Sequence, residues 1–256
     1  MNILLVNEAG CFAPGITALA KALSVRHRVV IVAPLHPQTN CGHRLTTSSY
    51  PLRVRQYFAL NKVKIFSVNG TPCDCVTLAL DKILHSKPDL IISGICDHNN
   101  RGEHIYSSGV VQAAVEGTIQ GIPSISVSAK IRDGKNEKCY APVASAFAKK
   151  LPYFISHMTP GTTLNVNYPE KFSTSKIICT PLTTDMIDTK YECEVNPFGN
   201  TFYWLKLSSL GFPLSCLDQK GDIYHLKKGF ITVTPLKLDL TNDIAIPIVK
   251  AGGLKL

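Results

Sequence analysis

Residues 2–34 read NILLVNEAGCFAPGITALAKALSVRHRVVIVAP, and their pattern sets the fold class. Asn2 to Asn7 is a short run of Ile, Leu and Val without alternation, the mark of a parallel strand buried on both faces. Glu8-Ala9-Gly10 turns the chain. Pro14-Gly15 then opens an amphipathic segment in which Ile16, Leu19, Ala20 and Leu23 share one face. Val29 to Ala33 is a second buried strand, closed by Pro34. Strand, loop, helix and strand in that order form a βαβ unit, for which a right-handed crossover is expected.

The same alternation continues outward. Val63–Val68 is a strand, and Asp74 is the expected N-cap of a helix over Cys75–His85. Leu90–Ile92 is a strand, Val110–Gln120 a helix stopped by Gly121, and Pro123–Val127 another strand. A helix over Pro142–Phe154 and a strand over Thr163–Asn167 follow. The fold class is therefore α/β, a Rossmann-like, mostly parallel sheet flanked by helices. Pro181 to Lys228 holds short β-type runs such as Phe202–Leu207 and is too long for a structureless loop. It is expected to be an extended β-hairpin arm for oligomerisation that reaches another subunit. Phe230–Pro235 is the final strand, extended after a break by Leu236–Leu240. One domain over 1–256 results: a core at 1–180, an arm at 181–228, and a return strand with tail at 229–256.

Composition sets outer bounds. The 256 residues are 45% hydrophobic and 18% charged, an ordinary globular balance. No apolar run approaches the ~20 residues that span a bilayer, and the first residues lack the basic region of an export signal. No membrane association and a cytoplasmic location are expected. Lysine and arginine outnumber aspartate and glutamate, 27 against 18, for a net charge of +9, which favours anionic partners. The basic residues are scattered and form no long run that would mark a nucleic-acid tail, so a phosphorylated small molecule suits the charge as well as a polynucleotide does, and nucleic acid is not the expected partner. Nine cysteines, an odd number without C-x-x-C spacing, read as reduced thiols, buried among apolar neighbours as in Ile177-Ile178-Cys179.

In a doubly wound sheet, ligands sit at the carboxyl ends of the strands. Three loops lie there. The first carries Glu8, an oxygen donor suited to a hard divalent ion. The second carries Gln38, Thr39 and Asn40. The third runs Ser93-Gly94-Ile95-Cys96-Asp97-His98-Asn99-Asn100-Arg101-Gly102 and ends at Ser107-Ser108-Gly109, just before a helix. Ser108-Gly109 is either a phosphate cradle at a helix start or a plain serine N-cap.

Together these stretches resemble the SurE survival-protein family. Ile3-Leu4-Leu5-Val6-Asn7-Glu8-Ala9-Gly10 with Ala13-Pro14-Gly15 follows the pattern ILLxNDDGxxAPG. Val32-Ala33-Pro34 matches VAP, and Gly70-Thr71-Pro72-Cys73-Asp74-Cys75 matches GTPxDC. Pro88 to Cys96 echoes PDLVxSGIN, and Leu164 to Pro169 matches LNVNxP. Tyr203-Trp204, Val233-Thr234-Pro235-Leu236 and Asp239-Leu240-Thr241 complete the series. The resemblance spans most of the chain. It implies a Rossmann-like core with a C-terminal arm exchanged between subunits, hence a homodimer or homotetramer. It also implies a divalent-metal-dependent phosphatase acting on nucleoside 5′- or 3′-monophosphates.

The resemblance further implies a metal held by two successive aspartates, a serine hydroxyl and an asparagine. At those positions stand Glu8, Ala9, Thr39 and Cys96. Glu8 keeps the charge and extends the carboxylate by about 1.5 Å. Ala9 has no donor, Thr39 keeps the hydroxyl, and Cys96 brings sulfur, which prefers zinc to magnesium. Magnesium, manganese and zinc are the candidate ions. Glu8 is also the expected catalytic carboxylate, and Ser108, Gly109 and Asn100 are the expected phosphate ligands, with Val110 where the family has a threonine. Cys96, Asp97 and His98 with Glu8 would make a different, zinc-type set. Two readings stay open: a phosphomonoesterase for nucleoside monophosphates or another small phosphomonoester, or an inactive homologue that retains a nucleotide or phosphate pocket.

Overall fold

The computed structural model describes residues 1–47, 49–58, 63–134, 136–183, 187–209 and 218–251. Parts of the expected arm (184–186 and 210–217), the end of the tail (252–256) and Cys216 lie outside the described residues.

The opening stretch folds as its pattern requires. β1 (Asn2–Val6) is followed by α1 (Pro14–Ser24) and β2 (Arg28–Pro34), and β1 and β2 pair in parallel. Ile16, Leu19, Ala20 and Leu23 are all buried. α1 lies so close to the sheet that a Cβ on Gly15 would come within 2.2 Å of the Ile95 carbonyl oxygen, so glycine is required there.

β3 (Val54–Phe58) and β4 (Lys64–Val68) follow, then α2 (Pro72–Leu78) and one turn of π-helix at Ala79–Ile83. Thr71, not Asp74, is the N-cap of α2. Asp74 N donates to Thr71 Oγ1 at 3.1 Å, and Thr71 N donates to Asp74 Oδ2 at 2.8 Å. That reciprocal box satisfies two orphan amides and starts the helix earlier than Cys75. β5 (Leu90–Cys96), the short α3 (His104–Ser107), α4 (Gly109–Ile119), β6 (Ser124–Ala129), α5 (Ala141–Ser156) and β7 (Thr162–Tyr168) continue the alternation.

β8 (Ile177–Cys179), the pair β9 (Ile187–Val195) and β10 (Thr201–Ser209), α6 (Asp222–Lys227), β11 (Ile231–Lys237) and α7 (Ala245–Ala251) complete the chain. Among the described residues, nine strands form one sheet in the order β3-β4-β2-β1-β5-β6-β7-β11-β8. β3 and β11 run antiparallel to β4 and β7, and the remaining pairings are parallel. β9 and β10 form a separate antiparallel hairpin within the span expected to be an arm. Inside that same span α6 packs against β11, with Asp222 fully buried.

β11 passes through Pro235 without the expected break, because Pro235 pairs with Leu164 of β7 while β8 ends its pairing at Val233. The missing proline N–H therefore disrupts no ladder on that edge. Cys179 is exposed, contrary to the expectation of a buried thiol, because β8 is a three-residue edge strand. The described cysteines are all free thiols. Among the described residues, no helix is long and apolar enough to cross a membrane.

Candidate functional site

β1 and β5 are neighbours in the middle of the sheet, so their carboxyl ends deliver Glu8 and Cys96 to one place. Glu8 is buried at 2% exposure. Its Oε1 lies 3.3 Å from Cys96 Sγ, and its Oε2 accepts from the Gly109 amide at 2.8 Å. Cys96 Sγ in turn lies 3.3 Å from His98 Nδ1 and 3.6 Å from Nε2. Glu8, Cys96 and His98 thus put one donor atom each within 4.8 Å of the others, a group able to hold a metal ion.

Asp97 is not a member of that group. It faces His98 from behind, Oδ1 to Nδ1 at 3.0 Å. The split occurs where β5 ends at Cys96 and the chain bends through Asp97 and His98.

Charge follows from these contacts. Burial raises the Glu8 pKa above 4.5, opposed by the Cys96 thiol, the His98 charge and the main-chain amides of Gly109 and Val110. Burial also raises the Cys96 thiol well above its ordinary value, with Glu8 adding to the effect. The Asp97 hydrogen bond raises His98, and Asp97 is lowered by the same bond.

The other expected residues take distinct places. Ser108 is the N-cap of α4, accepting from Val111 N at 3.2 Å, so its hydroxyl has the capping role. Gly109 opens that helix, and its N–H points at Glu8. Thr39 is exposed on a turn next to Gln38, whose amide donates to the Glu8 carbonyl at 2.7 Å. Ala9 is exposed. Asn100 is 1% exposed, and neither atom of its carboxamide has a hydrogen-bond partner among the described residues.

The third loop is anchored from the sheet beneath. The Asn100 carbonyl accepts from Asn165 Nδ2 at 2.7 Å and from Asn167 Nδ2 at 3.0 Å. Ser126 and Ser128 donate to the side-chain oxygens of Asn165 and Asn167. Asp222 holds the loop's far end, accepting from Gly102 N at 2.9 Å and from Thr183 N at 3.0 Å. These positioning residues were missed by sequence reasoning. The alternation Leu164-Asn165-Val166-Asn167 beside Ser124-Ile125-Ser126-Val127-Ser128 was the available signal, two polar rows on adjacent strands.

A cavity of about 930 Å³ opens beside His98. Arg101, Lys130, Arg132, Lys171 and Lys228 line it, with Glu170 as a counter-charge to Arg132. A basic wall of this kind draws anions towards the cluster.

Comparison with known proteins agrees with this architecture. The family model for survival protein SurE matches residues 3–192. A 5′-nucleotidase SurE of Geotalea daltonii is 40% identical, the alignment covering 98% of each chain. A 5′-nucleotidase SurE of Thermoanaerobacter sp. is 34% identical over the whole of both chains. The crystal structure of the SurE protein from Aquifex aeolicus superposes with a TM-score of 0.78 at 34% identity, covering 98% of this chain and 99% of that one.

Proposed function

The chain belongs to the SurE survival-protein family, and from that membership we propose that it is a phosphomonoesterase that removes phosphate from nucleoside 5′- or 3′-monophosphates with the help of a divalent ion. One observation carries the reading. The buried Glu8 carboxylate touches both the Cys96 thiol and the Gly109 amide, so ion-holding and phosphate-holding groups converge at one point.

The donor set fits a divalent ion. Glu8 offers oxygen, Cys96 sulfur and His98 nitrogen, all within 4.8 Å of one another. Those three residues would hold it. When bound, such an ion supplies Lewis-acid polarisation of a phosphoryl oxygen.

The chain's own residues supply the rest. The basic wall at Lys130 and Lys171 gathers the dianion and orients it towards His98. The start of α4 offers the Gly109 amide to a phosphoryl oxygen, which has to displace Glu8 Oε2 from that N–H. Asn100 presents a buried carboxamide whose N–H donors are unspent among the described residues, suited to a second phosphoryl oxygen. Glu8, released from the amide, is the carboxylate that orients the attacking water.

A second reading, a homologue that binds nucleotide or phosphate without hydrolysing it, is favoured by Ala9. Only one carboxylate stands at the end of β1, which weakens attraction for the ion. Phosphate release from AMP by the full chain, with magnesium, manganese and zinc tried in turn, decides between them. Metal-stimulated turnover that Glu8→Gln abolishes supports the phosphomonoesterase. AMP binding without turnover under every ion supports the second reading. The β9–β10 hairpin, with Tyr191, Tyr203 and Trp204 exposed, is proposed as the arm that joins two or four copies.

A further inference from the structure

We propose that Glu8, Cys96 and His98 form a three-ligand zinc site, selective against magnesium, in which Asp97 is the partner that orients His98. The inference rests on the crevice being the metal-holding end of a phosphomonoesterase. Its test is read on the metal itself, so that the two can fail separately.

Geometry is the first argument. Zinc binds sulfur at ~2.3 Å and nitrogen or oxygen at ~2.0–2.1 Å, so the edges of its tetrahedron that start at sulfur measure roughly 3.5 Å. The Cys96 Sγ to Glu8 Oε1 separation is 3.3 Å, and Cys96 Sγ stands nearly equidistant from the two ring nitrogens of His98, 3.3 Å from Nδ1 and 3.6 Å from Nε2. Both edges are therefore already near the required length before any ion is placed. Three protein ligands with one position left open is the pattern of catalytic zinc rather than structural zinc.

Tautomer is the second argument. Asp97 Oδ1 lies 3.0 Å from His98 Nδ1, a contact that favours the tautomer with its proton on Nδ1 once the ring is neutral. Nε2 is then left with the lone pair that a metal needs. A carboxylate behind a ligating imidazole is the outer partner that fixes ring orientation in zinc sites. Asp97 itself is held in place through its carbonyl, which accepts from Ile131 N at 3.0 Å.

Donor chemistry is the third. Magnesium demands near-octahedral oxygen ligation and seldom takes sulfur. One carboxylate oxygen with a thiolate and an imidazole is instead a zinc-type set. On binding, the Cys96 thiol yields its proton to solvent and the thiolate takes the metal, so charge and atoms balance.

The experiment is a zinc titration of the metal-free full chain against a chromophoric chelator, repeated for Cys96→Ser, His98→Ala, and Cys179→Ser with Cys193→Ser as the exposed-thiol control. The expected result is one zinc per chain, with affinity at least ~100-fold weaker in Cys96→Ser and in His98→Ala and unchanged in the control. Cobalt in place of zinc should give a thiolate-to-metal absorption band that Cys96→Ser abolishes, and excess magnesium should leave it intact. Should Cys96→Ser fail to fold, the half-exposed His98 supplies the surface variant that keeps the test. Zinc affinity unmoved in His98→Ala, binding that follows the control cysteines, or displacement by magnesium each overturns the proposal. Tight zinc with no AMP turnover retains the site and defeats the phosphomonoesterase reading. Magnesium-driven turnover with no zinc site does the reverse.

Discussion

The Gly109 amide donates to Glu8 Oε2 at 2.8 Å, tying the first residue of helix α4 to the end of strand β1 across 101 positions of sequence. The contact leaves no room for a side chain at residue 109. A Cβ there would meet Cys41 Sγ at 2.8 Å, Glu8 Oε2 at 3.0 Å and Pro72 Cγ at 3.1 Å. Gly109→Ala should therefore push the helix start away from Glu8. Phosphate release is expected to fall by ~100-fold in kcat/KM, the usual effect of ~1 Å misplacement, with ~1–3 kcal/mol lost from stability. Steady-state AMP kinetics and urea denaturation measure the two effects, and wild-type kinetics in the variant would contradict the role given to this amide.

The asparagine rows under the third loop make a separate prediction. Asn167 takes the Ser128 hydroxyl and gives its amide to the Asn100 carbonyl. Asn167→Ala strands the Ser128 donor in a fully buried place and opens a small cavity. A loss of roughly 2–4 kcal/mol is expected, read as a lower urea midpoint with an unchanged slope. A change under ~0.5 kcal/mol would mean that the ladder is dispensable.

That ladder marks where sequence reading stops. Apolar runs without alternation, as at Leu4-Leu5 or Ile91-Ile92, betray buried parallel strands at once, and the βαβ order then follows from sterics. β3 escaped notice because Arg55 and Gln56 interrupt its apolar pattern on an antiparallel sheet edge. Thr71 and Asp74 are both good caps, and only coordinates reveal that they cap each other. At the site, Glu8 and Cys96 were legible as strand ends. The partition of Asp97 from His98 was not, because it depends on how the chain bends after β5 ends at Cys96. Asp222 lies in a span that reads as arm, and its buried hold on Gly102 is a long-range contact without a local signature.

Glu8 links activity to stability through its titration. Its native pKa is raised, so between 4.5 and that higher value the folded chain binds more protons than the unfolded one. The stability associated with the protonated form is complete below 4.5 and is lost as pH rises through the native pKa. In the metal-free protein, Glu8→Gln should match the wild type in acid and become the more stable of the two above that window. Zinc should reverse the order at neutral pH by stabilising only the chain that binds it. Thermal melts across pH, with and without zinc, test the sign, and a Glu8→Gln chain that is less stable at neutral pH without metal would refute it.

Lys130 and Lys171 line the cavity and are exposed. Replacing both by glutamate cancels the net positive charge of the lining without touching Glu8, Cys96 or His98. KM for AMP should rise ~10-fold while kcat stays within a factor of two or so, and the dependence of kcat/KM on salt should flatten. An unchanged KM, or a fall confined to kcat, would show that the anion approaches from elsewhere.

The last prediction converts the proposed zinc crevice into an oxygen site. Glu8→Asp, Ala9→Asp and Cys96→Asn together give the end of β1 two short carboxylates and replace sulfur by an amide oxygen. The number of carboxylates doubles where an ion would sit, and each new donor is hard, so the preference should move from zinc towards magnesium or manganese. The triple variant should bind zinc at least ~100-fold more weakly than the parent and release more phosphate from AMP under magnesium. Cys96→Asn alone should lose the cobalt thiolate band yet gain little turnover, because Ala9 still offers no second carboxylate. If the triple variant gains no magnesium-dependent activity, the ligand set does not limit hydrolysis. The difference would then lie in the phosphate cradle, where Val110 follows Gly109 and offers no hydroxyl.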